Sequence, residues 1–383
     1  MNTKQPNGSE SLFIMSKKSN FRIALIYDRI NKWGGAERVL LTLHELFPDA
    51  PLYTAVHDKE SASWANVFNI HTSFLQKFPF ATKHHEWYPW LTPLAFESFN
   101  FDSFDVVLSV TSADAKGIIT KPHTKHICYC FTPTRYLWSH YETYFPDRLS
   151  RTFTRPIISY LRKWDRIAAS RPDHYIAISE TVKSRIKKYY HRDAEIIYPP
   201  VEIPKKTVFS DLKRQSLPKN YYLVVSRLVP YKRVDIAIKA CNELGLPLLI
   251  VGTGSDETRL RSLSGPHIQF IHNLTDDELA WYYQHSQALI LPQEEDFGLV
   301  SVEAQSYGTP VITYQKGGGT ESVVRGKTGE FFYPQTKDAL KKTLKTFKKV
   351  NYRPEDCKRN AREFNDEKFK TNMQLAISKL IHS

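Results

Sequence analysis

The sequence has 383 residues, which is longer than one ordinary hydrophobic core, so about two domains of roughly 150–200 residues are expected. Its composition, 41% hydrophobic and 24% charged, is typical of a soluble globular protein. No apolar run approaches the roughly 18–20 residues of a membrane-spanning helix, and the formal net charge of +13 leaves nucleic acid, anionic lipid and an anionic substrate open as partners.

Residues 1–20 are polar and lack the apolar segment of a secretory signal, so a disordered leader is expected, with Met15 as an alternative start. None of the four cysteines lies in a C-x-x-C pair, and no cluster of cysteine and histidine has the spacing of a zinc site. Reduced thiols in a cytoplasmic protein are the simplest interpretation.

Apolar, β-rich runs alternate with stretches of helical periodicity in both halves of the chain. Runs this apolar are usually buried on both faces, as in parallel sheets covered by helices. The alternation therefore predicts an α/β protein with two doubly wound domains. Strands are predicted at 21–27, 104–110, 126–130, 174–178, 194–198, 221–226, 247–251, 268–272, 288–291, 310–313 and 329–332.

The domain boundary is predicted near 199–218, where two prolines precede a polar, lysine-rich segment. Residues 21–200 then form the N-terminal domain and residues 201–365 the C-terminal domain. Residues 366–383 are predicted to form a last helix that can return across the hinge to the N-terminal domain.

The loops that follow strands are the candidates for chemistry, because open parallel sheets bind ligands beyond the carboxyl ends of their strands. The first such loop, 28–37, ends in Gly34 and Gly35 at the start of an amphipathic helix. Glycines there let backbone N–H groups approach a phosphate, and the helix terminus adds partial positive charge. The dinucleotide motif G-x-G-x-x-G is absent, and a plain glycine-rich connector is the alternative.

Aromatic and basic segments follow in the first half of the chain. The aromatic segments 84–90 and 136–145 either stack on sugar rings or pack in the core. Residues 151–192 contain eleven Lys or Arg against three acidic residues, and five of these cations lie in the predicted helix 180–192. That helix presents either a solvated basic face or a contact for an anionic membrane surface.

The loop 226–232 follows the first strand of the second half. Arg227 offers a planar fork for phosphate oxygens, Lys232 offers a compact charge, and Pro230 stiffens the loop between them. Two solvated surface cations are the alternative. The nearby VGTGSD segment at 251–256 lacks the third glycine of a dinucleotide motif, so a tight turn is the favoured interpretation.

The stretch LILPQEEDFGLVSVEAQSYGTPVI places Glu295 after an apolar strand and Glu303 one turn into a predicted helix, with seven residues between them. Phe297-Gly298-Leu299 lies in that gap, where the backbone can approach a ligand. A carboxylate suits the adjacent hydroxyls of a sugar or ribose, and the free N–H groups of a helix start suit a diphosphate. An acidic first helical turn would explain one glutamate, but the pair favours a nucleotide-sugar site.

Together these segments resemble the retaining glycosyltransferases of family 4, which have the GT-B fold of two Rossmann-like domains facing each other across a cleft. A second likeness, to O-antigen and exopolysaccharide mannosyltransferases, lies in YCFTPTRYLW at 129–138 and YQKGGGTESV at 314–323. The family resemblance itself is carried by GGAERV at 34–39, SRLVPYKRVD at 226–235, VGTGSD at 251–256 and EEDFGLVSVEAQSYGTPVI at 294–312.

The resemblance implies that the C-terminal domain binds the nucleotide sugar and that the N-terminal domain receives the acceptor. It implies that Glu295 contacts the donor sugar and Glu303 the nucleotide ribose. It also implies that the diphosphate is bound by Arg227 and Lys232 and that the glycine loop corresponds to Gly34 and Gly35.

The sequence departs from the family at Phe131, where the usual residue is a histidine thought to act near the reacting sugar. Phenylalanine can neither form a hydrogen bond through its side chain nor carry a charge. A nucleotide-sugar-binding protein that has lost activity therefore stays open as an alternative.

The favoured hypothesis is a retaining transferase that moves a hexose, with mannose from GDP-mannose preferred, to a glycan or lipid-linked acceptor in cell-surface polysaccharide synthesis. A UDP-sugar donor is an alternative. No D-x-D triplet occurs, so we expect no metal or other cofactor and expect protein charges to stabilise the leaving diphosphate.

The positive charge is spread through both halves without a nucleic-acid-binding motif, so no nucleic-acid partner is expected. The expected location is the cytoplasm, with peripheral contact at the inner face of an anionic membrane as an extension of that prediction.

Overall fold

A computed structural model describes residues 21–145, 147–203, 218 and 220–382. Two parallel β-sheets flanked by helices organise these residues, which confirms the predicted class of two doubly wound α/β domains. The predicted leader and most of the predicted boundary segment lie outside the described residues.

The N-terminal sheet has seven strands among the described residues, and its strand pairs are parallel. The spatial order is β3-β2-β1-β4-β5-β6-β7, so the chain winds first to one side of β1 and then to the other. The strands are β1 (Ile23–Tyr27), β2 (Leu52–Thr54), β3 (Ile70–Thr72), β4 (Val106–Thr111), β5 (Lys125–Cys130), β6 (His174–Ala177) and β7 (Glu195–Ile196).

Helices cover this sheet because their apolar faces match its buried strands. Strand β1, IALIY, is buried along its whole length, and Val39, Leu40 and Leu43 of the first helix are fully buried in the same core. The α-helices of this part are α1 (Gly35–Leu46), α2 (Thr92–Glu97), α3 (Tyr141–Tyr144), α4 (Arg148–Ala168) and α5 (Glu180–Tyr190).

The C-terminal sheet has six parallel strands among the described residues, in the order β10-β9-β8-β11-β12-β13. Its winding reverses between β8 and β11, as that of the first sheet does between β1 and β4. The strands are β8 (Tyr222–Val225), β9 (Leu248–Val251), β10 (Ile268–Ile271), β11 (Leu289–Leu291), β12 (Val311–Tyr314) and β13 (Gly329–Phe332).

The last helix of the chain contacts the N-terminal core. Phe369 and Met373 are buried in the same cluster as the strands of the first sheet, and the Phe369 ring lies 5.7 Å from that of Tyr129. The helices of this half are α6 (Val234–Leu244), α7 (Glu257–Ser262), α8 (Asp276–His285), α9 (Leu299–Ser306), α10 (Lys337–Thr346), α11 (Pro354–Arg362) and α12 (Asp366–Ile381).

Each of the predicted strands coincides with an observed strand, while β2 and β3 were not predicted. These two have three residues each, which is too short for an alternation of apolar and polar residues to be recognised. Within the described ranges, every helix is too short or too polar to cross a bilayer.

Candidate functional site

The predicted site residues lie where the winding of each sheet reverses. Loop 28–34 follows β1, loop 226–233 follows β8, and loop 292–298 follows β11. At such a reversal the loops beyond the carboxyl ends of neighbouring strands diverge and leave a crevice. Every predicted site residue lies on one of these loops or on the helices α1 and α9 that continue them.

Asp28 braces the loops beside the N-terminal crevice. Its carboxylate accepts hydrogen bonds from the backbone N–H groups of Ser112, Asp114 and Ala115 at 2.8–2.9 Å, and from the Thr111 hydroxyl at 2.7 Å. The start of the glycine loop is thereby tied to the end of β4, and this gives the crevice a fixed floor.

The glycine loop meets the acidic helix of the other domain. A Cβ atom on Gly35 would lie only 2.4 Å from Cδ1 of Leu299, the first residue of α9. One turn along α1, Arg38 Nη1 donates to Glu303 Oε1 at 2.6 Å across the same boundary. The structure therefore brings the Gly34–Gly35 loop and the Glu303 helix together in one interdomain cleft.

Both oxygens of Glu303 have protein partners. Arg38 holds Oε1, and the buried Tyr283 hydroxyl donates to Oε2 at 3.0 Å. Burial, followed by the charge of Glu303, raises the pKa of Tyr283 well above its ordinary value, so this hydroxyl keeps its proton. A ribose bound at Glu303 would have to displace the more exposed Arg38.

Glu295 is held within its own domain. Lys232 Nζ donates to Glu295 Oε1 at 2.7 Å, and Gln293 Nε2 donates to the same oxygen. Both partners of this ion pair are largely buried, at 15% and 13% side-chain exposure. Since an ammonium group has three donors, Lys232 can contact Glu295 and a phosphate oxygen at the same time.

Three cations, Arg29, Lys32 and Arg227, form a cluster in which Lys32 of loop 28–34 is close enough to feel the charges of Arg29 and of Arg227 in loop 226–233. Burial and then the charges of Arg29 and Arg227 lower the pKa of Lys32, against the opposing charges of Glu37 and Asp28. Arg227 is exposed and donates to the Tyr231 hydroxyl at 2.6 Å. Within the described part of the chain none of the three cations forms an ion pair, so the cluster presents its charge to the cleft.

The segment between the two glutamates combines a buried ring with a strained backbone position. Phe297 is 2% exposed and its ring lies 5.4 Å from those of Tyr198 and Phe364, so only its backbone is available to a ligand. Gly298 precedes α9 with φ of 89°, a conformation that side chains other than that of glycine rarely adopt. This turn starts α9 directly beside the side chain of Glu295.

Asp296 joins the domains through two arginines. Its carboxylate forms ion pairs with Arg135 and with Arg185 of α5. Burial would raise the pKa of Asp296, but the charges of the two arginines outweigh it and lower that pKa. Since Arg185 also contacts Glu294 at 2.8 Å, a purely solvated basic face was the wrong interpretation for this position of helix 180–192.

The structure places Phe131 beside the first-domain core and a histidine in the cleft. The Phe131 ring lies 5.6 Å from that of Tyr129. The His140 ring lies 5.7 Å from that of Tyr231 in the Arg227 loop. Burial and then the charge of Arg135 lower the pKa of His140, so its imidazole is neutral near pH 7.

Several of these contacts were not predicted. Arg29, Lys32 and Arg38 lie in or beside the quoted glycine loop, where basic residues next to a helix start were an available signal. Tyr283 gave no local signal, because its contact with Glu303 depends on the packing of α8 against α9.

Two family models match the chain. The model for Glycosyltransferase Family 4 matches residues 33–204, and the model for glycosyl transferases group 1 matches residues 209–364. The first match covers most of the N-terminal sheet and the second covers the whole C-terminal sheet.

Curated relatives match at low identity. D-rhamnosyltransferase WbpZ of Pseudomonas aeruginosa is 26% identical over 219 residues, which are 54% of this chain and 56% of that protein. The O-antigen chain mannosyltransferase RfbU of Salmonella typhimurium is 27% identical over 178 residues, which are 44% of this chain and 48% of that protein. The chain thus spans about half the length of the curated relatives that it matches.

Solved structures share the fold of the whole chain. HepE of Anabaena, in complex with UDP-glucose, superimposes with a TM-score of 0.70 over 94% of this chain and 100% of that chain, at 16% identity. This likeness shows the GT-B fold of two facing Rossmann-like domains. With one family model on each domain and this fold around the cleft, the chain belongs to the family 4 glycosyltransferases.

Proposed function

We propose that this protein transfers a hexose from a nucleotide sugar to a glycan or lipid-linked acceptor, with retention at the anomeric carbon. The observation that carries the proposal is the cluster of Arg29, Lys32 and Arg227 at the two facing crevices, with Glu295 and Glu303 beside it. Cations that face one another without acidic partners suit a ligand with several negative charges, and the carboxylates suit its hydroxyl groups.

In this proposal the diphosphate of the donor lies between loop 28–34 and loop 226–233. Arg227 supplies a planar fork of donors, Lys32 and Lys232 supply compact charges, and the N–H groups at the start of α1 complete the shell. Glu295 accepts hydrogen bonds from the sugar hydroxyls. Glu303 accepts those of the ribose after Arg38 has moved aside.

The transfer step follows from this placement. The acceptor hydroxyl oxygen forms a bond to the anomeric carbon while the bond from that carbon to the phosphate oxygen breaks, and the acceptor proton passes to the leaving diphosphate. The preorganised cations stabilise the negative charge that grows on the leaving group. Because Lys232 and Gln293 both engage Glu295, this carboxylate is a poor nucleophile, and we propose same-face attack within an ion pair.

For the donor we favour GDP-mannose, with UDP-glucose as the alternative. RfbU is named a mannosyltransferase, which supports the first, and HepE was solved with UDP-glucose, which supports the second. A donor-binding protein without transferase activity is a second candidate, because the side chain at 131 packs against Tyr129 and offers no polar group to the sugar.

The donor is tested by thermal unfolding with GDP-mannose, UDP-glucose, UDP-N-acetylglucosamine and GDP, each with and without EDTA. A ligand selective for the folded state raises the melting temperature by mass action. We expect one nucleotide sugar to stabilise the protein more than the others, equally in EDTA. Stabilisation by none of them would reject the site, and a loss of the effect in EDTA would reject metal-independent binding.

Replacing Arg227 with alanine should reduce donor turnover about 100-fold, the usual effect of removing one charge-assisted contact to a leaving group. The side chain is exposed and its described hydrogen bond goes to Tyr231, so folding should be unaffected. Turnover is measured with the donor that the unfolding experiment selects. The control Tyr231→Phe removes the same hydrogen bond but keeps the charge of Arg227, so its turnover should stay within a few-fold of the native rate. Full activity of Arg227→Ala would refute the diphosphate role.

A further inference from the structure

Helix α4 carries far more positive charge than its surroundings balance. Its residues Arg148–Ala168 include six Lys or Arg and one acidic residue, Asp165. Asp165 is fully buried and pairs inward with Lys116 at 2.5 Å, so it does not neutralise the outer surface of the helix. Four of the basic residues, Arg148, Arg155, Lys163 and Arg166, are exposed to solvent on the same side of the helix.

These cations surround a cavity of about 850 Å³ between α4 and the segment that contains Trp138 and Tyr141. Arg162 lies over both aromatic rings, 5.7 Å from that of Trp138 and 4.7 Å from that of Tyr141, and Arg166 lies 4.9 Å from that of Trp138. The basic residues that line the cavity are Arg148, Arg151, Arg155, Arg162, Lys163 and Arg166.

Most of these cations lack acidic partners. Within the described residues, Arg148, Arg155, Arg162, Lys163 and Arg166 form no ion pair. Arg135 and Arg185 in the interdomain cleft show the opposite situation, because Asp296 pairs with both. Like charges concentrated around one cavity repel one another, so an anionic ligand would relieve this repulsion.

Another side of α4 is apolar and is also exposed to solvent. Leu149 is 71% exposed and Phe153 81% exposed, and Tyr160 and Ile167 continue the same stripe at about half exposure. Successive residues of a helix are 100° apart. On this basis the apolar stripe lies on the side of α4 between its basic face and its buried face, which is formed by Ile158 and Leu161. A free phosphate or a nucleic acid would explain the cations but not the exposed apolar stripe.

We propose that α4 binds the phosphate groups of an anionic lipid bilayer. The cavity and the basic face hold the lipid phosphates, and the stripe from Leu149 to Ile167 enters the apolar part of the interface. A helix with adjoining basic and apolar faces binds such a surface by charge and by buried apolar area together. We assign the membrane contact to α4 rather than to helix 180–192 because Arg185 and Lys187 of that helix form ion pairs.

The position of α4 also connects lipid binding with the cleft. The segment that lines the cavity through Trp138 and Tyr141 reaches the cleft through Arg135, which pairs with Asp296, and through His140, whose ring lies 5.7 Å from that of Tyr231. A lipid-linked acceptor held at α4 would therefore lie near the donor. This last step rests on the proposed function, whereas the lipid contact itself does not.

The test is cosedimentation of the full chain with vesicles of phosphatidylcholine containing about 30% phosphatidylglycerol, and with vesicles of phosphatidylcholine alone. We expect binding to the anionic vesicles only. The triple variant Arg148→Gln/Arg155→Gln/Lys163→Gln should bind them about 100-fold more weakly, because each basic residue near such a surface contributes about fivefold. The control Lys342→Gln/Lys345→Gln/Lys348→Gln removes the same charge from exposed positions of the other domain and should bind as the native protein does.

A second variant, Leu149→Ser/Phe153→Ser, removes apolar area without changing charge and should weaken vesicle binding at least tenfold. Its exposed positions leave the fold intact, which circular dichroism checks. Native-like vesicle binding by this variant, equal loss in the lysine control, or no binding to anionic vesicles would each overturn the proposal. Because the experiment contains no donor, it gives the same answer whether or not the protein transfers a sugar.

Discussion

The carboxylate of Glu303 is shared between the domains, because Arg38 and Tyr283 each donate to one of its oxygens. If Glu303 binds the ribose, Glu303→Ala should raise the Kd of the nucleotide at least tenfold, since two hydrogen bonds to a charged group are lost. Isothermal titration calorimetry with the nucleotide of the preferred donor measures this change.

The variant Arg38→Ala separates the ribose role from a structural one. It breaks the same interdomain ion pair but leaves the carboxylate, with Oε1 now free, so nucleotide affinity should equal or exceed that of the native protein. An unchanged Kd in Glu303→Ala would reject the ribose role. Equal losses in both variants would show that the ion pair, not the carboxylate, matters.

Asp114 gives the fold a dependence on pH. Burial raises its pKa to about 7, against the charge of Lys116 and with that of Asp28. Between its ordinary pKa near 3.8 and about 7, the folded protein keeps a proton that the unfolded chain releases. The protonated Asp114 carboxyl therefore stabilises the fold fully below pH 3.8, and this stabilisation is lost as the pH rises through about 7.

Asp114→Asn stays neutral at every pH and should lack this loss. The free energy of unfolding of Asp114→Asn minus that of the native protein should increase by roughly 2–3 kcal/mol between pH 5 and pH 8. Urea unfolding at both pH values measures it, and the difference between the proteins cancels the titration of all other groups. A constant difference would mean that Asp114 is ionised throughout this range.

The residues of the site were only partly predictable. Gly34, Gly35, Arg227, Lys232, Glu295 and Glu303 follow strands or begin helices, and this local signal is visible in the sequence. The contact between Arg38 and Glu303 joins residues 265 positions apart, and it arises only when α1 faces α9. The same holds for Asp296, whose two arginines come from the other domain.

At the scale of elements, the approach of α1 to α9 depends on Gly35. An added Cβ would lie 2.4 Å from Leu299 Cδ1, the far end of a flexible side chain, so the Leu299 side chain would leave its present position at the start of α9 while both helices stay folded. Alanine also has a higher helix propensity than glycine. Gly35→Ala should therefore keep or raise the melting temperature while weakening nucleotide-sugar binding several-fold.

The double variant Gly35→Ala/Leu299→Ala removes the clash and should restore much of the affinity, measured by the same calorimetry. Native-like binding by the single variant would show that the distance between α1 and α9 does not matter to the donor. A double variant no better than the single one would point instead to the glycine backbone itself.

The elements of the fold were more predictable than the site. Long apolar strands such as β4 and β5 can be recognised because both of their faces are buried. Strands β2 and β3 are short, and β3 lies at the edge of the sheet with its residues partly exposed, so no period is visible there. The order of the strands in each sheet could not be predicted from the sequence, since it is set by how helices pack on both faces of the sheet.

At the scale of the whole molecule, the net charge is +13, and cations are concentrated in two places, the interdomain cleft and helix α4. In the cleft, Arg38, Arg135, Arg185 and Lys232 are paired with Glu303, Asp296 and Glu295, whereas Arg29, Lys32 and Arg227 form no ion pair within the described residues. On α4, five cations form no ion pair in the part of the chain that the structure describes, namely Arg148, Arg155, Arg162, Lys163 and Arg166. The net charge alone could not distinguish these arrangements, because it contains no information on which carboxylates approach which cations.

Asp296 should control how firmly the two domains are held together. Asp296→Ala leaves Arg135 without its counter-charge and Arg185 with only the exposed Glu294, and losing one partner of a comparable buried pair costs about 3–5 kcal/mol. Since both arginines belong to the other domain, the loss of their attraction to Asp296 should open the cleft. We therefore expect a larger radius of gyration in small-angle X-ray scattering and a lower melting temperature.

The control Glu294→Gln, which removes only the exposed partner of Arg185, should change stability by less than about 1 kcal/mol and leave the radius of gyration unchanged. A native radius and melting temperature in Asp296→Ala would show that the remaining contacts, such as the Arg38–Glu303 pair, are sufficient to hold the cleft closed.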